Sequence, residues 1–290
     1  MLHRTEGIVL RTFPFGEADL IVTYLTPDLG RLKLFAKSPR KIKSRFGSSL
    51  EPLTHSRISF WGKEDANLPR LTQSDIIRPF QSLRDNLHCF LKVQEIIELT
   101  LSFLPERDIN KKAYYLLLKT LHDIENNSLR YLYKPSIPPI IPPHPPLEKG
   151  GRGDLKEGGK GGFEKKGGAG FSDGDLTFAH YKIKFLKFMG YTPKLDSCGR
   201  CGKKGSCFYI AHGSILCEAC AEGIDLPIKL SPAVTRLYYD LLTWDSIKIT
   251  RIKPSEKLLL QLSDVIDMHI KYILSKPLKT ELFMQSLCRF

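Results

Sequence analysis

An α+β fold is predicted, a small closed β-barrel followed by an α-helical domain. Three observations predict it. Residues 5–77 are rich in β-branched and aromatic side chains with turn signals between short runs. From Pro79 onward the apolar spacing changes to steps of three and four. Two Cys-x-x-Cys hooks then fall between helical stretches, where a metal could staple them together.

The first strands are Gly7-Ile-Val-Leu-Arg-Thr-Phe13 and Asp19-Leu-Ile-Val-Thr-Tyr-Leu25, separated by a break at Pro14-Phe-Gly-Glu17. Thr26-Pro-Asp-Leu-Gly30 is a turn signal, after which Arg31-Leu-Lys-Leu-Phe-Ala-Lys37 alternates with period two. Leu32, Leu34 and Ala36 should face inward, with Arg31, Lys33, Phe35 and Lys37 on the other side. A basic loop follows to Ser49, then strands over His55–Trp61 and Leu71–Ile77. Five short strands in so little chain suit an OB-fold barrel over residues 1–79.

In the next segment, 80–133, Leu87, Phe90, Leu91, Gln94, Ile97, Leu101 and Leu104 fall on one helical face. A second helix near Asn110–Asn126 places Tyr114, Leu117, Leu118 and Leu121 together. Residues 134–173 break the pattern: seven prolines (Pro135 to Pro146) precede ten glycines spread from Gly150 to Gly170. Such composition buries too little apolar surface to offset ordering entropy, so a disordered insertion is predicted. Arg152-Gly-Asp154 and the glycines around Lys160 imitate an adhesion tripeptide and a phosphate loop. The first is a chance-prone tripeptide, and the second fails its spacing.

Helices resume in 174–290. Asp175–Met189 aligns Phe178, Tyr181, Phe185 and Met189, turning Lys182, Lys184 and Lys187 mostly away, and Gly190 is a good stop. Ser231-Pro232 reads as a cap followed by a first-turn proline, and a last long helix runs near Ser255–Leu274. Between them, in segment 196–222, lie Cys198-Gly-Arg-Cys201 and Cys217-Glu-Ala-Cys220. Two disulfides or two redox pairs are the alternatives to a metal. The spacing favours one four-thiolate zinc ion, structural because a full shell leaves no open position. Gly199 and Gly202 suit hooks that need positive φ. Cys207 and His212 lie between the hooks without a hook partner, while Cys89 and Cys288 sit in apolar helical patterns as expected core residues.

The chain has 290 residues, long enough for two domains, and 42% of them are hydrophobic. No apolar run approaches the roughly 20 residues that cross a bilayer, and the first residues lack a secretory design. The expectation is the cytosol, where paired cysteines serve metals better than disulfides. Lys and Arg number 44 against 31 acidic residues, a net charge of +13 that favours a polyanion, nucleic acid first. The densest cationic stretch is Arg31, Lys33, Lys37, Arg40, Lys41, Lys43 and Arg45, without an acid among them and with Phe35 and Phe46 interleaved. On a barrel wall such a groove would track phosphates while aromatics stack on bases. No nucleophile elbow, zinc-protease helix or true phosphate loop occurs. The acids are scattered, with Asp245, Asp264 and Asp267 read as helix-surface charges, so a non-enzyme is expected.

Two stretches resemble the RecO family of bacterial recombination mediators. One is Thr5-Glu-Gly-Ile-Val-Leu-Arg11 with Gly16-Glu-Ala-Asp19, Thr26-Pro-Asp-Leu-Gly-Arg31 and Ser44-Arg-Phe46 after Lys43. The other is Met189-Gly-Tyr-Thr-Pro-Lys-Leu-Asp-Ser-Cys198 leading into the cysteine hooks. The likeness spans nearly the whole chain except Lys134–Asp173. It implies a nucleoid-associated cytoplasmic protein that binds single- and double-stranded DNA and anneals complementary strands. It also implies work with RecR, and with RecF in many bacteria, to load RecA onto strands coated by single-stranded-DNA-binding protein (SSB). An acidic SSB C-terminal tail would dock on the helical domain, with Lys182, Lys184 and Lys187 as a guess for its site. Some members of the family lack the zinc cysteines, which implies a metal that is not the chemistry itself. The competing classes are a zinc-containing transcription or RNA-binding factor with an OB domain, and a metallohydrolase with an open metal position.

Overall fold

The computed structural model describes residues 1–40, 44–63, 66–132, 173–224 and 226–287. Lys41, Lys43 and Cys288, and nearly all of the predicted insertion 134–173, lie outside the described residues. Strands β1 (Leu2–Phe15), β2 (Asp19–Thr26), β3 (Gly30–Ala36), β4 (His55–Trp61) and β5 (Arg70–Arg78) close into a barrel of order β1-β2-β3-β5-β4. Every neighbouring pair is antiparallel except β3 with β5. This five-stranded closed barrel is an OB-fold. Each strand the sequence predicts is present. The alternation survives because each strand lines the barrel interior with every second residue. Val9, Val22, Tyr24, Leu32, Leu34, Ala36, Ile58, Phe60 and Leu71 fill that interior. The basic loop after β3 contains a single 3-10 turn, Gly47–Leu50, whose Leu50 joins Phe46 in the same core.

Helices α1 (Gln81–Asp85), α2 (Leu87–Phe103), α3 (Lys111–Leu132) and α4 (Asp173–Phe188) follow. Then come β6 (Lys194–Cys198), β7 (Cys207–Tyr209), β8 (Ser214–Leu216), α5 (Glu218–Ala221) and β9 (Ile228–Lys229). The chain continues with α6 (Pro232–Thr243), α7 (Ser246–Ile249), α8 (Glu256–Leu274) and α9 (Lys279–Leu287). Ser231 caps α6 through its hydroxyl, as the sequence predicts, and Ser255 caps α8 in the same way. One core joins these helices to Ile8, Leu10, Leu25 and Leu53 on the barrel. The barrel wall is therefore buried on that flank, and only the rest of its outer surface is open to a ligand.

The helical faces differ from their predicted form. In α2 the buried residues are Val93, Glu95, Ile96, Ile97, Leu99 and Thr100, while Leu87 is exposed. The predicted stripe assumed one packed side. Helix α2 is instead gripped from two directions, since α9 also docks on it: Glu98 accepts from the Lys279 and Thr280 backbone N–H groups at 2.8 and 2.9 Å. Helix α4 is buried on almost every side, with Leu176, Ile183 and Leu186 inside beside the predicted Phe178, Tyr181 and Phe185. Lys182 is buried too. Its Nζ lies 2.5 Å from Glu95 and 2.6 Å from Asp267. Lys182 is thus not a surface cation, and Asp267 is not a free surface charge. Asp245 and Asp264 are exposed as expected, Asp245 also capping α7 by accepting from the Lys248 N–H, so Asp267 alone of the three departs from the expectation. Lys184 is half-buried and Lys187 exposed. Cys89 is only partly buried against the core.

His180, on the same helix, gives a prediction about acid stability. Burial, then the nearby Lys184 charge, pull its imidazole down to about 4 from 6.5. Its folded value lies below its unfolded one, so the unfolded chain binds the extra proton first as pH falls. Stability should therefore decline from about pH 6.5 to about 4, by up to about 3 kcal/mol from this group. Chemical denaturation across that range checks it, and the decline should be shallower in His180→Leu.

Candidate nucleic-acid interface and four-cysteine centre

Strand β3 presents its side chains in the alternation that the sequence predicts, with Leu32, Leu34 and Ala36 inside the barrel and Arg31, Lys33 and Phe35 outside. The outer residues nevertheless differ in availability. Arg31 is half-buried, and its Nη1 donates to the Leu101 carbonyl at 2.6 Å. Its own carbonyl accepts from the Arg107 N–H, and Glu106 lies 3.8 Å from its guanidinium. Arg31 therefore bolts the barrel to the α2–α3 connection. Lys33 is exposed but paired with Glu106, whose carboxyl is held below the usual range chiefly by the hydrogen bond from Lys33. Lys37, Arg40 and Arg45 are exposed, and none is ion-paired to a described residue. The Ser38 N–H donates to Asp19 Oδ1 at 2.6 Å, and the Arg40 N–H to the Ala18 carbonyl at 3.3 Å. These two bonds hold the start of the basic loop against the β1–β2 turn.

Phe46 is not a stacking surface. It is 3% exposed and belongs to the barrel core, with the Arg45 guanidinium 4.9 Å from its ring centroid on the outer side. Its hydrophobic area closes the end of the barrel below the 3-10 turn, which is worth more than exposure in a charged loop. The aromatic partners of Phe35 come instead from β1. Register aligns Phe13 with Ile21 and Ile21 with Phe35, so the three share one row of the outer wall. Phe15 is 52% exposed and meets Phe35 edge-on at 5.9 Å between centroids. The Arg11 guanidinium sits 4.0 Å from the Phe13 centroid. Reasoning from the densest cation run missed Arg11, Phe13 and Phe15. Sequence parity alone would have misplaced them, because Val9 shares their parity but lines the barrel interior, and an irregularity between Val9 and Arg11 turns the later positions outward. The wall thus interleaves cations with exposed rings, a chemistry suited to phosphates and unpaired bases together.

The second centre lies at the end of a small sheet of order β6-β8-β7-β9. Parallel pairing of β6 with β8 brings their C-terminal ends side by side, and each strand runs directly into one hook. The four sulfurs of Cys198, Cys201, Cys217 and Cys220 lie within 4.8 Å of one another, Cys201 and Cys217 at 3.4 Å. A tetrahedral zinc with about 2.3 Å bonds sets its sulfurs about 3.8 Å apart, so this donor set fits the ion. Each hook is a tight turn: the Gly202 N–H donates to the Cys198 carbonyl, and the Cys220 N–H to that of Cys217. Gly202 has φ of +75°, as predicted. Gly199 is needed for space instead, since a Cβ there would collide with the Ser214 side chain.

Cys198 is fully buried and Cys201 lies at the exposed rim. Burial raises the Cys198 thiol, but N–H groups of Cys201, Cys217 and Arg200 outweigh it and leave it at about 6. Cys220 is pushed up to about 12, first by hydrogen bonding to Cys201 and then to Cys217. Four thiols this close share protons unevenly. A dication would let all of them ionise. Cys207 and His212 are not in the group; Cys207 pairs in the β7 ladder. Among the described residues no other cluster of this kind occurs.

Comparison with known proteins agrees with this arrangement. Residues 1–80 match the family described as Recombination protein O N terminal, and residues 170–282 the one described as Recombination protein O C terminal. The chain is 39% identical over 280 residues to a DNA repair protein RecO of Thermodesulfovibrio yellowstonii, covering 94% of each chain. It is 27% identical over 289 residues to one of Dehalococcoides mccartyi, covering 98% of this chain and 95% of the relative. A third, from Bacillus pumilus, is 26% identical over 294 residues, covering 99% and 95%.

Proposed function

The chain belongs to the RecO family, and on that premise we propose that it is a DNA-binding recombination mediator. In this reading it binds single- and double-stranded DNA through the barrel and anneals complementary strands. It also helps load RecA onto SSB-coated single strands, with RecR, RecF and the SSB C-terminal tail as its protein partners. The observation that carries the reading is the outer wall of β1 to β3, where the rings of Phe13, Phe15 and Phe35 lie together beside Arg11 and the exposed Lys37, Arg40 and Arg45 follow in the adjoining loop. Lys41 and Lys43 belong to the same proposal by their place in the sequence. Lys33 contributes once its pairing with Glu106 is exchanged for a phosphate, whereas Arg31 is held by the fold. Of the three α4 lysines weighed for the SSB tail, Lys187 remains and Lys182 does not.

Annealing needs no covalent step, so the site needs no general base, nucleophile or open metal position. Two strands repel through their phosphates. A cationic surface offsets that repulsion and raises local concentration, while base pairing supplies the driving force. Rings that hold bases unstacked from their own strand keep the pairing edges presented. Cys198, Cys201, Cys217 and Cys220 would hold one Zn²⁺, which supplies a crosslink and no reaction chemistry when all four positions are thiolates. The proposed setting is the cytosol at the nucleoid. No helix among the described residues is long and apolar enough to cross a membrane.

The test is the combined variant Arg40→Ala, Lys41→Ala, Lys43→Ala and Arg45→Ala, measured by salt titration of single-strand binding. Each lost phosphate contact removes about 0.7 from the slope of log affinity against log salt, so four remove about 3. Affinity near 0.1 M salt should fall roughly ten- to a hundredfold. An unchanged slope would take the loop out of the interface.

A further inference from the structure

The aromatic row on the outer wall does not stop at β3. Register continues it from Phe35 to Arg70 on β5, from Arg70 to Trp61 on β4, and from Trp61 to Leu2 on β1. The inner residues confirm the facing, since Ala36, Leu71 and Phe60, one position along each strand, are all in the barrel core. Trp61 is 62% exposed and Leu2 52% exposed. A water-soluble barrel gains nothing by leaving its largest apolar ring in solvent, and exposed aromatics of this kind mark interaction surfaces.

The charges around Trp61 say which interaction. Arg70 is its direct cross-strand neighbour. Arg4, opposite Ser59, is its diagonal neighbour, at a distance that is about 7–8 Å in such ladders. Both arginines are exposed, and neither makes an ion pair or hydrogen bond with a described residue. The nearest acid along β1, Glu6, is engaged with Arg57 and His55. An exposed indole between two guanidinium groups that no described residue pairs is poorly built for another apolar surface or for a second copy of this equally basic chain. It matches a ligand that alternates flat rings with anionic groups.

We propose that Trp61, with Arg70 and Arg4, is a second base-stacking subsite for single-stranded nucleic acid, continuous through Arg70 with the wall at Phe35. The inference rests on the function proposed above and extends it: one strand follows the aromatic row around the barrel instead of ending at the basic loop. Trp61 stacks on a base, and the two arginines contact the phosphates on either side of it.

The chain has two tryptophans, and the other is Trp244 on the helical side. In a Trp244→Phe background the emission of Trp61 should be quenched as a dT oligonucleotide of about 20 nucleotides saturates the protein. Trp61→Ala should weaken that binding about tenfold while leaving the salt slope unchanged, because a stacked ring releases no counterion. Trp61→Phe should restore most of the loss, and Arg70→Ala should lower the slope by about 0.7. Emission indifferent to saturating DNA, together with full affinity in Trp61→Ala, overturns the subsite. A change in Trp61 emission with protein concentration alone, accompanied by a doubled mass, also overturns it and assigns the patch to self-association. If the four-residue loop variant loses binding while Trp61→Ala does not, this inference falls and the proposed function stands. If neither variant loses binding, the proposed function falls with it.

Discussion

Replacing Cys198 and Cys201 by Ser is expected to abolish binding of the proposed zinc and lower the melting temperature by about 10 °C or more. Cys198 is fully buried, in a small cluster with Tyr209, Leu216 and Cys217. The small sheet that carries the hooks is too short-stranded to persist alone: β6 has five residues, β7 and β8 three each and β9 two. Their other faces are not isolated, because Leu195, Phe208 and Ile215 enter the main helical core. Loss of the metal therefore frees the small sheet and opens one wall of that core. Structural zinc binding is worth about 10–16 kcal/mol in small zinc-finger peptides. Even a loss of about 4 kcal/mol would move the melting temperature of a chain this size by about 10 °C. The barrel interior is a separate core. At a temperature where the variant stays folded, its affinity for DNA should change little. Metal content and thermal denaturation measured on one preparation check this, and a zinc-free variant with an unchanged melting temperature contradicts it.

Lys182→Met should be comparably damaging for a different reason. The methionine fills much of the space, but it leaves Glu95, buried on α2, and Asp267 on α8 without their cation. Removing one partner of a buried ion pair costs about 3–5 kcal/mol, because the remaining charge stays desolvated. The directions of titration agree with this picture. Burial holds the Asp267 carboxyl above its ordinary value despite Lys182, and Lys182 is raised because its two carboxylates outweigh its desolvation. Without the lysine the Asp267 carboxyl should titrate higher still when folded than when unfolded. A group of that kind loses its stabilising contribution as pH rises, so the variant's deficit should be smallest near pH 4 and grow toward neutrality. Urea denaturation of wild type and variant at several pH values measures it. Lys182→Met combined with Glu95→Leu and Asp267→Leu should recover most of the loss, as buried ion pairs replaced by apolar groups often do. A deficit independent of pH would show that packing, and not charge, holds the three helices.

What the sequence revealed follows from geometry. Strands in a barrel are short, half-buried runs between turns, so β-branched and aromatic content with turn signals marked the strands, and alternation in Arg31–Lys37 marked the outward side of Arg31, Lys33 and Phe35. The cap at Ser231 and the paired cysteines were equally readable, since each is a local device with its own spacing. Residues whose surroundings come from distant segments were not. Helix α4 has no polar face to expose, and Lys182 looks like a surface lysine until Glu95 and Asp267 are brought to it from residues about ninety positions away on either side. Phe46 reads as part of a basic loop, and only the closed barrel shows that it is a plug. The availability of Arg31 likewise depends on the Leu101 carbonyl, seventy residues downstream. Arg11, Phe13 and Phe15 were overlooked because attention to charge density favours loops over strands.

The proposed function has this fold work on DNA by holding strands on the barrel wall, without covalent chemistry. The most direct measurement is the annealing rate of complementary single strands pre-coated with the cognate SSB, followed with and without RecR and in the absence of nucleotide triphosphates. The wild-type protein should anneal unrelated sequences alike faster than the uncatalysed rate, and the variant lacking Arg40, Lys41, Lys43 and Arg45 should anneal them near that rate. Annealing no faster than the uncatalysed rate, or binding confined to one particular sequence, would contradict it.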